Sequence, residues 1–233
     1  MIPKSMGTPE AFAAVVTAKY VDVLPLYRQV EILKRSGIEL SRGTLSNWCV
    51  QLGNKVDVII EVMRVHLLNE KLICADETTV QVLREQDRSA QNKSYMWVYR
   101  SGEYVEQPIV IYDYQPSRAG QCVKDFLGDY SGYLLTDSYQ AYNGLENVSQ
   151  AGCLAHVRRK FTDAQKAQPK KKSGRVEKAI NFIAKLYGIE QEAKRLSAVE
   201  RQQLRQQKSK PILDKFHEWL LETQDKVLPK SQL

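Results

Sequence analysis

Two short strings, Ala75-Asp76-Glu77-Thr78 and Thr136-Asp137-Ser138-Tyr139, each close an apolar, β-leaning run with an aspartate. The runs are Lys71-Leu-Ile-Cys-Ala in one case and Gly132-Tyr-Leu-Leu in the other. Runs of that kind suit the interior of a sheet. A carboxylate half-buried at a strand end is costly unless it is paired, hydrogen-bonded or bound to a cation. Two carboxylates on neighbouring strands could hold hard divalent cations against a phosphate. The competing reading is that each aspartate simply caps the turn that follows it, as aspartate often does. Their joint placement on the first and fourth strands of one sheet weighs against it.

The order of elements supports a single sheet. The first seventy residues read as helical. Thr8 is a good N-cap and Pro9 suits the first helical position, opening a helix to about Tyr20. Pro25 starts a second helix with Leu26, Tyr27, Val30 and Leu33 on one face, stopped by Gly37. Ser41 caps a third, carrying Leu45, Trp48, Cys49 and Leu52, and the apolar pattern resumes through Val56, Ile59, Ile60, Met63 and Leu67. Helix, glycine turn, helix is a candidate helix-turn-helix. A hairpin that packs on the next domain is the alternative, because the face at Arg42, Asn47 and Gln51 carries one positive charge.

The texture changes near Lys71. Leu72 to Leu83, Ser94 to Arg100 and Pro108 to Tyr114 read as three strands of an antiparallel meander. Ser117 is predicted to cap a helix ending near Gly128, Tyr133 to Thr136 forms a fourth strand, and a short helix covers Tyr139 to Leu145. Cys153 to His156 is predicted as a fifth strand running into a helix that starts at Arg158. Three strands, then helix, strand, helix and strand make an α/β chain with a mixed sheet, the order of a ribonuclease-H-like core. From Lys166 onward the chain reads as helical and polar, with a loop at Lys170 to Gly174, a stripe at Ala179, Ile180, Ile183, Leu186 and Tyr187, and a last helix opened by Pro211. The expected organisation is therefore an N-terminal helical segment over 1–70, a core over 71–165 and a basic helical insertion over 166–233.

Composition narrows the function. No apolar run approaches the roughly 20 residues that span a bilayer, and the N-terminus lacks a signal-peptide stretch, so a cytoplasmic protein with no membrane partner is expected. Cys49, Cys74, Cys122 and Cys153 form no CxxC pair, which argues for reduced thiols rather than disulfides or structural zinc. The net charge of +7 is unevenly spread: residues 158–233 hold 19 Lys and Arg against 9 Asp and Glu, whereas residues 1–157 are slightly acidic. That basic third suits a polyanion or, alternatively, is only a solvated helical surface.

Other side chains fall around the two aspartates. Glu77 and Asp113 are nearby acids, and strand alternation turns Glu77 away from Asp76. In Cys153-Leu-Ala-His156-Val-Arg158-Arg159-Lys160, the histidine could meet a phosphate or a metal-bound water and the basic triplet could grip a DNA backbone. A structural histidine is the alternative for His156. His66 and His217 fall within helical patterns and are expected to be structural or solvent-facing.

Taken together, Ile2-Pro-Lys, Lys19-Tyr-Val-Asp-Val-Leu-Pro-Leu-Tyr-Arg28, Gly37-Ile-Glu-Leu-Ser-Arg42, Ala75-Asp-Glu-Thr78, Thr136-Asp-Ser-Tyr-Gln-Ala-Tyr142 and Gly152-Cys-Leu-Ala-His-Val-Arg-Arg-Lys-Phe161 resemble transposases of the insertion sequence 66 family. The resemblance implies a ribonuclease-H-like DDE catalytic domain that cuts and joins DNA with two divalent ions, Mg2+ or Mn2+. It makes Asp76 and Asp137 the first two catalytic, metal-binding carboxylates, and matches Cys153 and His156 to a Cys-x-x-His string. The partners it implies are transposon-end and target DNA, with a homo-oligomer or other transposon-encoded proteins as further candidates. The family's glutamate sits in an Asn-Asn-x-x-Glu-Arg-like string that these 233 residues do not contain. Glu190, Glu192, Glu218 and Glu222 lack that context. The expectation is thus a transposase truncated at both ends, missing its final catalytic helix. A non-catalytic DNA-binding or regulatory fragment is the alternative, and a nuclease working with two carboxylates a third.

Overall fold

A computed structural model describes residue 2, residues 5–167 and residues 174–227. The chain divides into two compact units, one made of residues 1–70 with 98–113 and the other of residues 71–97 with 114–233.

In the first unit, α1 (Pro9–Tyr20), α2 (Leu26–Arg35) and α3 (Arg42–Leu68) begin where local chemistry starts them. Thr8 Oγ1 accepts from Ala11 N at 3.3 Å and Ser41 Oγ from Thr44 N at 3.0 Å, each taking up an orphan donor of the first turn. Gly37 (φ +79°) ends α2 in the left-handed region, with Ile38 N returning to Leu33 O. The core gathers Ile2, Phe12, Val15, Leu45 and Trp48, and Phe12 meets Trp48 edge-on at 4.9 Å. Leu26, Val30 and Leu33 pack against this cluster as expected. Tyr27 instead stays exposed, and the buried polar residue of α2 is Gln29, whose Nε2 donates to Val15 O and Leu24 O. In the second half of α3, Leu67 is buried but Ile59 and Ile60 are exposed.

The sheet has five strands in the order β3-β2-β1-β4-β5. They are β1 (Leu72–Gln81), β2 (Lys93–Ser101), β3 (Val110–Gln115), β4 (Gly132–Thr136) and β5 (Val148–Gly152). Strand β4 pairs in parallel with both β1 and β5. This is a mixed α/β architecture, as the order of elements suggested. Between β3 and β4 runs α4 (Gly120–Leu127), which buries Cys122, Val123, Phe126 and Leu127 and stops at Gly128 (φ +54°). It starts three residues after Ser117, whose Oγ accepts from Ala119 N in the preceding turn and does not cap the helix.

Two local expectations are corrected here. The fifth strand is Val148–Gly152, not Cys153–His156: its residues pair one-for-one with Gly132–Thr136, and α5 (Leu154–Ala167) begins directly after Cys153. Its polar Ser149 and Gln150 are tolerated because β5 is a sheet edge, and polar edge residues erase the apolar alternation that marks inner strands. The helix expected over Tyr139 to Leu145 is only a 3-10 turn, Gln140–Tyr142, because Gly144 and Asn147 adopt positive φ just beyond it.

The remaining helices are α6 (Gly174–Ala193), α7 (Ala198–Leu204) and α8 (Lys210–Gln224), with a π-helical turn at Arg205–Ser209 leading into α8. Helix α6 packs on α5 and α8 through Ala179, Ile183, Phe216 and Trp219, with Phe182 stacked on Phe216 at 5.2 Å. Most of the loop expected at Lys170 to Gly174 lies outside the described residues. Among the described residues, no helix is long and apolar enough to cross a membrane.

Candidate active site

Strand register sets the relation between the two aspartates. Leu72, Ile73 and Cys74 of β1 stand opposite Tyr133, Leu134 and Leu135 of β4. The same offset, continued past the paired residues, would bring Asp76 level with Asp137, the residue after β4. Neighbouring strands lie about 4.8 Å apart, and side chains level with one another in a parallel pair share a face. Burial follows that alternation: Ile73 and Leu134 are buried, as are Ala75 and Thr136, while Asp76 is exposed and Asp137 half-buried.

Each aspartate is steadied by a backbone N–H on Oδ1. Asp76 Oδ1 accepts from Glu77 N at 3.0 Å, and Asp137 Oδ1 from Tyr139 N at 2.8 Å. The turn after Asp137 is reinforced by Ser138 N, which donates to Thr136 Oγ1 at 3.0 Å, and Ser138 sits at φ +66°. Thr136 O also accepts from Cys153 N at 2.7 Å, tying the start of α5 to the end of β4. That anchorage puts His156, in the first turn of α5, against the first aspartate: Nε2 lies 3.5 Å from Asp76 Oδ2.

The basic triplet is spread around α5. At 3.6 residues per turn, Arg159 and Lys160 fall within about 60° of His156, whereas Arg158 is turned away by about 160°. All three are exposed. His156, Arg159 and Lys160 therefore share one side of the helix, and Arg158 does not.

Glu77 has a different environment. Its side chain is 1% exposed against 58% for Asp76. Arg118 Nε donates to Glu77 Oε1 at 2.7 Å, Arg118 Nη2 bonds the same oxygen, and Tyr142 Oη donates to Oε2 at 2.6 Å. The Arg118 guanidinium lies 3.6 Å above the Tyr139 ring. Burial opposes the Arg118 charge, but the hydrogen bond and charge of Glu77, with further contributions from Tyr139 and Asp137, hold its pKa above the ordinary value. The buried Glu77 carboxylate thus links β1, through Tyr142, to the segment that follows Asp137. Arg118, Tyr139 and Tyr142 were not singled out in the sequence. The tyrosines lie within the Thr136–Tyr142 string, but the Arg118 turn carries no comparable pattern.

Other acids are committed elsewhere. Glu190 pairs with Arg205 at 2.6 Å and Glu192 with Lys208 at 2.6 Å, both exposed, and Glu218 and Glu222 lie exposed on α8. Among the described residues no group of three or more His, Cys, Asp or Glu side chains forms a ready metal site. None of the four cysteines, all described, is in a disulfide.

The family model described as "Transposase IS66 family" matches residues 4–233. The chain belongs to the IS66 transposase family. This IS66-family chain is 30% identical over 246 residues to the uncharacterized protein y4qI of Sinorhizobium fredii, a match covering all of the chain and 45% of the relative. From the same organism, the uncharacterized protein y4jD is 29% identical over 98% of the chain and 46% of its own length. A third, uncharacterized protein y4hP, is 30% identical over 94% of the chain and 43% of its own length. The chain spans less than half the length of the curated relatives it matches. No solved structure matches it.

Proposed function

We propose that this chain carries the first two carboxylates of a DDE-type DNA transposase active site, Asp76 and Asp137, on a ribonuclease-H-like core over residues 71–165, with residues 166–233 as a basic helical insertion. The observation that supports the reading is the parallel pairing of Leu72–Cys74 with Tyr133–Leu135, an offset that, continued, would bring Asp76 level with Asp137. The order β3-β2-β1-β4-β5, with α4 joining β3 to β4, supports the ribonuclease-H-like assignment.

The donor chemistry fits a hard cation. Both aspartates offer oxygen ligands, each takes its backbone N–H through Oδ1, and Asp76 Oδ2 faces His156. Asp76 and Asp137 would hold Mg2+ or Mn2+, and when bound these ions neutralise phosphate charge and lower the pKa of a coordinated nucleophile. His156 orients the Asp76 carboxylate from α5. Arg159 and Lys160 hold DNA phosphates on the same helix side, and Arg158 engages a more distant part of the backbone. In the hydrolytic step a water oxygen bonds to phosphorus at a transposon end and the 3′-oxygen leaves as a hydroxyl. In the joining step that hydroxyl attacks a target phosphodiester and displaces its 3′-oxygen.

Magnesium-dependent nicking of supercoiled plasmid by the purified protein, lost in Asp76→Ala and Asp137→Ala, would support the catalytic reading. Retention of DNA without cleavage, unaffected by either change, would favour a non-catalytic DNA-binding fragment.

A further inference from the structure

Beside the Asp137 turn the surface opens into a cavity of about 310 Å3. One wall carries Arg118, Gln121 and Lys124, and the other carries Tyr139, Gln140 and Asn143. Two cations and three carboxamides line it, and no lining residue is acidic. Gln121 is held in place by Asp125, to which its Nε2 donates at 2.6 Å.

The cavity is fixed before any ligand arrives. Arg118 is anchored through Nε and Nη2 to the buried Glu77, and its guanidinium rests on the Tyr139 ring. Those two bonds leave Nη1 outside the Glu77 pair, and a guanidinium carries five N–H donors in all. The two walls also meet tightly: a Cβ on Gly120 would lie 2.7 Å from Ala141 O, closer than real contacts allow. A glycine is required there to bring α4 against the 3-10 turn. Pre-positioned donors cost little ordering on binding.

We propose that this cavity binds a backbone phosphate of the DNA strand lying across Asp76 and Asp137, next to the phosphodiester that reacts. The assignment rests on the transposase reading above and extends it to a second contact point. A phosphate suits an arginine fork with a lysine point charge. The carboxamides of Gln140 and Asn143 suit the sugar and base edges that accompany a phosphate and would be wasted on a bare anion. Tyr139 joins the two sites physically, since its backbone N–H holds Asp137 while its ring supports Arg118. A strand seated here would therefore be held in register with the Asp137 carboxylate.

The test is binding of a short fluorescent single-stranded oligonucleotide to the full chain in EDTA, followed by anisotropy across a salt series. Lys124→Gln and Asn143→Asp change exposed side chains and should preserve the fold, which thermal melting checks. Each is expected to weaken binding several-fold. Lys124→Gln should also flatten the log–log salt dependence by about 0.7, the loss of one single-strand phosphate contact. Lys71→Gln, exposed just before β1, should change neither. Unchanged affinity and slope in both cavity variants, with the wild type binding DNA, would overturn the cavity assignment and leave the aspartate site standing. Conversely, the expected losses in a protein that never nicks plasmid would keep the cavity and remove the catalytic reading. A wild type that binds no DNA removes both.

Discussion

His156 Nε2 stands 3.5 Å from Oδ2 of Asp76, although the two residues belong to different elements, α5 and β1. The distance is long for a firm hydrogen bond. It is short enough for the imidazole, with its side chain only 23% exposed, to limit where the carboxylate can swing. Asp76 itself is exposed, so its position depends on this neighbour and on the Glu77 N–H.

Replacing His156 with alanine should therefore act through Asp76. The expected result is a loss of magnesium-dependent plasmid nicking of about 10- to 100-fold, the scale seen when a residue supporting a metal ligand is removed. The loss should be partly recovered at high magnesium, and DNA binding in EDTA should change little. His156→Gln, which keeps a side-chain donor, should lie between wild type and alanine. A fall in EDTA binding as large as the fall in nicking would instead make His156 a phosphate contact.

The Glu77 cluster is expected to matter for stability. Glu77→Leu removes the acceptor for Arg118 and leaves the hydroxyl of Tyr142, a fully buried residue, without its carboxylate. Loss of the hydroxyl's carboxylate acceptor and a broken, partly buried ion pair together cost about 2–4 kcal/mol, with the lower end favoured because the Arg118 side chain is 36% exposed. Urea denaturation should show a lower midpoint with an unchanged slope. A midpoint within error of wild type would mean that Glu77 is not the brace between β1 and the Asp137 segment.

How much of this was legible beforehand depends on how local the signal was. Thr8, Pro9, Ser41, Gly37 and Gly128 each act within one turn of themselves, and each marks a helix end where expected. The apolar runs that stop at Asp76 and Asp137 were legible, but only Asp137 follows a strand end: β1 continues past Asp76 to Gln81. Strand β5 was not legible, since Ser149 and Gln150 lie on a sheet edge where polar residues carry no penalty. The nearby Cys-Leu-Ala-His string is apolar enough to imitate a strand but is the start of α5. The sequence foretold that Glu77 would turn from Asp76, by alternation alone. What it turns toward is a long-range matter: Arg118 and Tyr142 lie 41 and 65 positions away, and no spacing rule joins them.

Acid stability should respond to Glu85. Its carboxylate accepts from Tyr114 Oη at 2.6 Å, from Ser94 Oγ at 2.9 Å and from Arg88 Nη1 at 2.8 Å. Those bonds, led by Tyr114, hold its pKa below the ordinary 4.5. A folded-state pKa below the unfolded one favours the ionised form on folding. The contribution is therefore present above about pH 4.5 and fades as pH falls through the lowered value. Glu85→Gln should destabilise the protein at neutral pH and make its melting temperature less steeply dependent on pH in the acid range. An acid limb identical to wild type would exclude Glu85 as a contributor.

The turn that aims Asp137 offers the sharpest separation of geometry from chemistry. Ser138 adopts φ +66°, a region that costs a residue with a Cβ about 1–2 kcal/mol. Glycine has no such cost but loses about 0.5–1 kcal/mol more conformational entropy on folding, so Ser138→Gly should be near neutral in stability. It also leaves intact both turn bonds, Ser138 N to Thr136 Oγ1 and Tyr139 N to Asp137 Oδ1. A β-branched residue tolerates positive φ worst, and Ser138→Val should either destabilise the protein by about 1–2 kcal/mol or rotate the turn and release Tyr139 N from Asp137. Nicking separates these results. With Ser138→Gly active and Ser138→Val folded but depleted in activity, the turn conformation itself aims the carboxylate. Equal activity in both variants would show that Asp137 needs no such aiming, because β4 alone would then fix it level with Asp76.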